Sequence, residues 1–259
     1  MVSHIVMLSL TLPSNASPNK HPSNTVATFR TYLSDAINLS GTHAFEIGLR
    51  EILFPTLISN VMDCWLTISQ PGQTLLKEKM EEGLYTDDKQ FFDKLKGCMN
   101  KLLDICTVQI GDHNRLVTIW IHNKASLDMS RNLANMLGFD KTTLTNDTAD
   151  RLSFTGQQAF DINRGLDHIF VYCNLCTDVP LGHTKSPLLR CIKSNISSAP
   201  KPQSITFSDI SYTPMSVKNF DSILVYLRLS DGRPVPFLSG TCVVTLVIRR
   251  KTPHHIFLA

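Results

Sequence analysis

The sequence predicts a mainly β protein, an antiparallel β-sandwich with one or two inserted short α-helices. About ten or eleven short runs carry strand signals, and only two segments have the three- and four-residue apolar spacing of a helix. Strands and helices do not alternate along the chain, which argues against βαβ units and a parallel sheet. With 259 residues, 42% of them hydrophobic, the chain can bury the core of one domain. We therefore predict a single domain over 1–259, with a helix-bearing insertion at about 84–140 and a short C-terminal tail at 252–259.

The first part of the chain contains strand-like runs separated by turn-forming residues. The short apolar run from Ile5 to Leu12 has no Lys or Arg before it, which favours an edge strand over a signal peptide. A Pro, Asn and Ser stretch at 13–24 predicts an exposed loop. Two further strands are predicted at Val26–Leu33 and Phe45–Leu53, and Pro55 ends the second. In that strand the residues alternate as in a half-buried strand, with Phe45, Ile47 and Leu49 against Glu46, Gly48 and Arg50.

Two segments have helical periodicity. In 86–103 apolar residues recur every three or four positions, Thr86 is the predicted N-cap, and Asp87 and Asp88 suit the positive end of the helix dipole. The apolar residues are Phe91, Phe92, Leu95, Met99, Leu102 and Leu103. The second helix is short, with Ser126 as candidate N-cap and Gly138 as its stop. Its apolar residues are Met129, Leu133, Met136 and Leu137.

The remaining strands lie between and after the helices. Cys64–Ser69 and Arg115–Ile121 are short apolar runs, and the polar stretch 140–150 is a predicted loop. From His168 onward three runs place apolar residues at every second position, so each has one buried face. These faces are Ile169, Val171, Cys173 and Leu175; Ile223, Val225, Leu227 and Leu229; and Cys242, Val244, Leu246 and Ile248. Asp231-Gly232 predicts a turn, and Pro234 and Pro236 place the next segment at an edge or outside the ladder.

Charge and cysteine content narrow the classes of function. Lys and Arg number 25 and Asp and Glu number 22, a formal charge of +3 with no long basic block, so nucleic-acid binding is not expected. The densest basic run, Arg249-Arg250-Lys251 beside His254 and His255, is either a solvated strand end or a contact for phosphate or acidic partners. Seven cysteines, an odd number, fit a reducing compartment. No stretch approaches the ~20 apolar residues that a membrane span needs.

No motif in the sequence predicts catalysis or a cofactor. Nucleophile elbows, phosphate loops, dinucleotide fingerprints and HExxH pairs are missing. Cys173-x-x-Cys176 has a spacing that can hold zinc, but residues three apart in a strand point to opposite faces, and no second pair completes four ligands. Trp65 and Trp120 lie in strand runs, so a base-stacking platform is the weaker interpretation. We therefore predict no catalytic, metal or cofactor-binding residue, and no enzyme.

A series of short phrases occurs in a particular order along the chain. The early part contains Asn24 to Leu33, Leu39-Ser40-Gly41, the run from Phe45 to Pro55, and Asn60-Val61, and the middle contains the run from Leu133 to Phe139, which ends in Leu-Gly-Phe. The second half contains Asp161 to Gly165, Ile169 to Cys173, Pro187 to Arg190, Ile210 to Ser216, Phe220 to Ile223, Gly232 to Phe237, and Val243 to Leu246 followed by Arg249-Arg250. Taken together, this series resembles the penton, or minor capsid, proteins of Polinton/Maverick elements, adintoviruses and related virophages.

The resemblance implies a fold, a function and a set of partners. Proteins of this family have a single jelly roll, which is a two-sheet antiparallel sandwich, and form homopentamers at the five-fold vertices of an icosahedral shell. It implies a location in the virion after assembly inside the infected cell, without secretion. The implied partners are further copies of the chain, the double-jelly-roll major capsid protein and a vertex spike or fibre, with no cofactor.

The family-like positions are expected to make fold or interface contacts. They are Glu51, Pro55, Asn60, Arg164, Gly165, Tyr172, Pro187, Leu188, Leu189, Arg190, Phe220, Gly232, Arg233, Pro234, Pro236 and Phe237. Within them, Pro234 to Phe237 and Pro187 to Leu189 are either ring contacts or plain turn and core residues. A soluble jelly-roll module that binds a glycan or receptor is the alternative function, and a cupin-type enzyme would need a His/Glu metal cluster.

Overall fold

The computed structural model describes residues 7–39, 41–100, 104–194, 196 and 201–251. Some predicted positions lie outside these residues: Ile5, Ser40, Leu102, Leu103 and the tail at 252–259 with His254 and His255. Within the described ranges the chain forms eighteen strands and two helices. In chain order they are β1 (Met7–Pro13), β2 (Thr28–Asn38), β3 (Phe45–Phe54), β4 (Trp65–Gln70), β5 (Gln73–Lys79), α1 (Asp88–Met99), β6 (Cys106–Ile110), β7 (Val117–Ile121), β8 (Ser126–Met129), α2 (Arg131–Leu137), β9 (Thr143–Thr145), β10 (Leu152–Thr155), β11 (His168–Cys173), β12 (Val179–Leu181), β13 (Thr184–Ser186), β14 (Leu188–Lys193), β15 (Gln203–Thr206), β16 (Tyr212–Pro214), β17 (Asn219–Arg228) and β18 (Val243–Arg250). The predicted mainly β fold with two short helices is confirmed.

The chain divides into two compact units. Unit 1 combines residues 1–58 with 165–259, and unit 2 is the continuous segment 59–164. The predicted helix-bearing insertion at about 84–140 lies inside unit 2, which also contains β4 and β5 before it and β9 and β10 after it.

Unit 1 is an antiparallel sandwich of two sheets. The first sheet has the order β1-β18-β3-β15, with the short β16 also paired to β3, and the second has the order β14-β11-β17-β2. All of these pairings are antiparallel. The chain crosses between the sheets from β2 to β3, from β14 to β15 and from β17 to β18, as in a jelly roll. The antiparallel sandwich predicted from the sequence is therefore confirmed.

The two sheets of unit 1 share one hydrophobic core. The predicted buried faces that belong to β11, β17 and β18 all lie in it, and none of their residues is more than 3% exposed. The same core contains Phe29 of β2, Ile47 of β3 and Ile192 of β14. The alternation in the sequence thus identified the inward face of the sandwich correctly.

The strand β3 differs from the half-buried strand that its alternation predicts. Glu46 and Gly48 are buried along with the apolar residues, because the outer side of this part of the strand is covered. A Cβ atom on Gly48 would collide with the side chain of Ile210. Further along, a bulge in the ladder leaves Arg50 without a partner in β18, and the buried face continues at Ile52.

Unit 2 has its own core, built from two sheets and both helices. Its sheets have the orders β5-β4-β8-β9 and β10-β7-β6, and all their pairings are antiparallel. From α1 this core receives Phe91, Phe92, Leu95 and Met99, as the helical spacing predicts. The ring of Phe160 lies 5.1 Å from that of Phe91 and 4.9 Å from that of Phe92. The aromatic pair in α1 is therefore a packing feature.

Both helices begin at a cap other than the predicted one. Asp87, not Thr86, caps α1, because its carboxylate accepts a hydrogen bond at 2.7 Å from the backbone of the third helical residue. Ser130, not Ser126, caps α2 in the same way at 3.2 Å, since Ser126 belongs to β8. Gly138 ends α2 as predicted, with φ +81° and its N–H bonded to the last turn.

A short strand, β9, lies in the stretch 140–150 that the sequence predicts as a loop. Its central residue Leu144 is 5% exposed, and Thr143 and Thr145 on either side are exposed. One apolar residue gives no periodic signal, and the strand forms because β8 supplies a partner.

Among the residues that the structure describes, no helix is long and apolar enough to span a bilayer.

Candidate functional site

The phrase from Pro187 to Arg190 lies in and beside β14, at the edge of the second sheet of unit 1. Leu188 is paired with Tyr172 of β11, and the carbonyl of Pro187 accepts a hydrogen bond from the N–H of Cys173 at 3.1 Å. Leu189 is 4% exposed and belongs to the core. Pro187 and Leu188 are half-buried. Five family-like positions therefore come together here, and two of them leave apolar surface on the sheet edge.

Aromatic and arginine side chains lie on the outer side of the same sheet, where Tyr172 is 8% exposed and Tyr226 and Arg228 are half-buried. The Tyr172 and Tyr226 rings stack with centroids 5.0 Å apart, and the Arg228 guanidinium lies 5.6 Å from the Tyr226 ring. Burial raises the pKa of both tyrosine hydroxyls above the ordinary value of about 10, at which a phenol is already protonated at neutral pH. At the edge of the sheet, the guanidinium of Arg190 in β14 lies 3.9 Å from the ring of Phe207. Tyrosine and arginine are the residue types enriched at the centres of protein interfaces.

The phrase from Gly232 to Phe237 forms part of the connection between β17 and β18. Gly232 has φ +83° in the predicted turn, and Arg233 pairs with Asp231 at 2.6 Å. Pro234 makes one isolated bridge and Pro236 lies in no named strand, so both prolines lie outside the ladders as predicted. The ring of Phe237 lies 6.5 Å from that of Phe54, which fixes this connection against the end of β3.

The other family-like positions of unit 1 make contacts within the fold. Pro55 ends β3 as predicted and is buried, and a Cβ atom on Gly240 would lie only 2.6 Å from its ring. Glu51 accepts a hydrogen bond at 3.1 Å from β15. Phe220 is 8% exposed in the core, and Gly165 has φ +81°.

The two family-like positions of unit 2 are both hydrogen-bonding residues. Asn60 is 4% exposed, and its side chain accepts from the N–H and donates to the carbonyl of Tyr85, both at 2.8 Å. The Nδ2 atom of Asn60 also donates to Oδ1 of Asn163 at 2.9 Å. Arg164 donates to the carbonyl of Asn135 at 2.7 Å. These residues hold distant parts of unit 2 together.

The basic run at the end of β18 is partly neutralised. Nε of Arg249 lies 2.6 Å from Oε1 of Glu46, and its guanidinium lies 3.5 Å from the ring centroid of Tyr212. Arg249 therefore holds β16 and β3 together and is not a free phosphate contact. Arg250 is half-buried and Lys251 is exposed.

Cys173 and Cys176 do not point to opposite faces, so the prediction that a strand directs their side chains apart is wrong. β11 ends at Cys173, and the chain then turns so that the N–H of Cys176 donates to the carbonyl of Cys173 at 3.1 Å. Both residues are buried in the same core. The hydrogen bond between the two thiols, together with burial, raises the pKa of Cys176. Within the described ranges no three His, Cys, Asp or Glu side chains converge on a possible metal position.

The two tryptophans lie in strands β4 and β7, as predicted, but their surroundings differ. The Arg151 guanidinium covers the Trp120 ring at 4.7 Å. Trp65 borders a groove in unit 2 that the sequence did not reveal. Its other residues, such as Lys77, Asp128 and Thr143, are far apart in the chain, and only the strand order β5-β4-β8-β9 brings them beside Trp65.

The two flanks of the unit 1 sandwich differ in their edge strands. On one flank β14 contacts β16, and on the other β1 and β2 are the edges. The backbone of β2 is partly paired by the loop at 13–24. Asn24 accepts from the N–H and donates to the carbonyl of Arg30, both at 2.9 Å, and Ser17 accepts from Tyr32 N–H at 3.3 Å. This pairing blocks strand addition, while Tyr32 (36% exposed) and Met7 (61% exposed) leave apolar surface.

Comparison with known proteins finds similarity to solved structures but none at the sequence level. No family model matches the sequence, and no curated protein matches it. Among solved structures, a penton protein is similar to this chain. It is the mavirus penton protein in a selenomethionine-labelled crystal structure, with a TM-score of 0.44 and 12% sequence identity over 95% of this chain and 99% of that one. The fold of the present chain is established by its own strand pairing.

Proposed function

We propose that this chain is a penton, or minor capsid, subunit that forms a homopentamer at the five-fold vertices of an icosahedral shell and has no enzymatic role. The observation that carries the proposal is the ordered series of family-like phrases over positions 24–251, on a chain whose unit 1 is a jelly-roll sandwich. In this proposal unit 1 is the capsid-forming body and unit 2 is inserted between β3 and β11. The proposed partners are further copies, the double-jelly-roll major capsid protein and a vertex spike or fibre, in the virion.

The two unlike flanks of unit 1 suit a ring. A five-fold ring needs a heterologous interface, in which one surface of a subunit meets a different surface of the next. We assign these surfaces to the flank with β14 and β16 and the flank with β1 and β2. The first offers Pro187 and Leu188, and the second offers Met7 and Tyr32. A stable ring interface buries on the order of 2,000 Å² or more.

Native mass spectrometry and electron microscopy of the purified chain test the assembly. We expect particles with a mass five times the 29.0 kDa of one chain and five-fold class averages. The measurement is repeated with the major capsid protein present, because a partner that binds only the assembled ring stabilises it by mass action. Monomers at micromolar concentration in both conditions would contradict the proposal.

A pair of matched variants tests which flank is used. Met7→Glu places a charge at an exposed position of β1, whereas Leu152→Glu places one at an exposed position of β10 in unit 2, where Leu152 is 40% exposed. Burying an unpaired carboxylate in an interface is costly, so we expect Met7→Glu to give monomers and Leu152→Glu to leave the ring intact. The flank assignment is wrong if Met7→Glu assembles as well as the parent protein.

A further inference from the structure

Unit 2 has a groove of about 740 Å³ on the outer face of the sheet β5-β4-β8-β9. Leu66 and Ile68 of β4 are turned into the core, at 1% and 0% exposure, so the alternate residues Trp65 and Thr67 face outward into the groove. The volume lies within the range of small-molecule sites, about 300 to 1,000 Å³. The groove is therefore large enough for a ligand of several rings.

Polar side chains form a row across the sheet beside the tryptophan. Thr67 of β4 pairs with Lys77 of β5 on one side and with Asp128 of β8 on the other, and Asp128 pairs with Thr143 of β9. Trp65 lies two residues before Thr67 and so is next to this row on the same face. An indole ring thus lies beside an ammonium group, two hydroxyls and a carboxylate.

The charges that face the groove balance. Lys77, Lys79 and Asp128 lie on its side of the sheet, whereas Glu78 pairs with the buried Leu66 and so points to the other side. Lys79 is already paired with Glu82 at 2.8 Å, which leaves Lys77 against Asp128. One oxygen of Asp128 accepts a hydrogen bond from the Thr143 hydroxyl at 2.6 Å, which orients the carboxylate. A bound anion would meet Asp128 and a bound cation would meet Lys77, so the groove favours an uncharged ligand.

The position of Trp65 is fixed by its backbone. Its N–H donates to the Ser130 hydroxyl at 3.4 Å, and its carbonyl accepts from the N–H of Ser130 at 3.0 Å. Ser130 is also the N-cap of α2. The strand that carries the indole is thus tied to the helix start, and a ligand does not have to order it.

We propose that this groove binds a neutral carbohydrate. A sugar ring has an apolar C–H face, which packs on the half-buried indole of Trp65, and hydroxyls that both donate and accept hydrogen bonds. Lys77 can donate hydrogen bonds to the sugar hydroxyls, Asp128 can accept them, and Thr67 can do either. The inference concerns unit 2 alone and does not rest on the penton role, so either proposal can fail while the other stands.

An array of neutral, sialylated and sulfated oligosaccharides, probed with the full chain, tests the proposal. We expect binding to neutral oligosaccharides, and the affinity for the strongest one is measured by isothermal titration calorimetry, which does not depend on the tryptophans that the variants remove. The control is Trp120→Ala, which removes the other tryptophan from an outward strand position in unit 2, outside the groove. Trp65→Ala should weaken binding about tenfold or more, because the indole face is lost, and Trp120→Ala should not.

A second variant keeps the test decisive if Trp65→Ala does not fold. Asp128→Asn preserves the shape of a half-buried surface residue but removes its charge, and we expect binding about fivefold to tenfold weaker because charge-assisted hydrogen bonds are stronger than neutral ones. The proposal is overturned if no neutral oligosaccharide binds at millimolar concentration, if only sialylated or sulfated glycans bind, or if binding is the same in every folded groove variant.

Discussion

Asn60→Ala is expected to destabilise unit 2 strongly, because Asn60 satisfies both backbone groups of a buried residue. Its side chain accepts from the N–H and donates to the carbonyl of Tyr85, and Tyr85 is 5% exposed. A lost hydrogen bond costs about 0.5–1.5 kcal/mol net, and a buried group left unpaired costs about 1–3 kcal/mol. With two such groups at Tyr85 and a third bond to Asn163, we expect the free energy of unfolding to fall by roughly 2–4 kcal/mol.

Asn163→Ala is the matched control. It removes the third bond of Asn60 but leaves both groups of Tyr85 paired, so we expect a loss of about 1 kcal/mol or less. Urea unfolding, followed by circular dichroism with the slope of the transition compared between variants, measures both changes. If Asn60→Ala lowers the free energy of unfolding no more than Asn163→Ala, the hydrogen-bond reasoning is refuted.

Two glycines and two cysteines give further predictions. Gly138→Ala should lower the free energy of unfolding by about 2–4 kcal/mol, because φ is +81° and the added Cβ would meet the backbone of residue 158. Gly97→Ala, on the open surface of the helix, should raise the free energy of unfolding by about 0.5–1 kcal/mol. Urea titrations in which both variants shift stability in the same direction would contradict this. Burial raises the pKa of Cys106 from 9.0 to about 12, so a thiol reagent at pH 8 should label exposed Cys191 in the folded protein and Cys106 only on unfolding. Above pH 9 the unfolded Cys106 thiol loses its proton while the native thiol keeps it. Cys106 therefore contributes fully to the stability of the fold below pH 9, and this contribution is lost towards pH 12. Rapid labelling of Cys106 in the native protein, mapped by mass spectrometry, would refute the burial argument.

The buried faces of the strands in unit 1 and of the helices in unit 2 were predictable, because the spacing of apolar residues along each element depends directly on which side is buried. Residues two apart in β11, β17 and β18 share a face whatever their partners are, and residues three or four apart in α1 do the same. The ends of the helices were less predictable. Thr86 and Asp87 both have capping side chains, and the sequence does not say which of two adjacent residues leaves the helical conformation first.

The sequence could not show features that depend on distant partners. Glu46 and Gly48 alternate with apolar residues and were predicted to face solvent, but residues 210–212 lie against Gly48 and Arg249 pairs with Glu46. The groove beside Trp65 is formed by four strands whose order is not a sequence property. In the same way, β9 depends on pairing with β8, because a three-residue strand carries no periodicity of its own.

The placement of Asn60 and Asn163 explains how unit 2 can interrupt a sandwich. Unit 2 spans 59–164, and its two ends are brought together by the hydrogen bond from Nδ2 of Asn60 to Oδ1 of Asn163 at 2.9 Å, each one residue in from an end. An inserted unit is tolerated best when its ends are close, because the host fold then sees only a short connection. Asn60 and Arg164 were expected to make fold or interface contacts. The hydrogen bonds of Asn60 suit a role in closing the insertion, and Arg164 ties the end of unit 2 to α2, while Leu188 and Met7 leave apolar surface on unit 1.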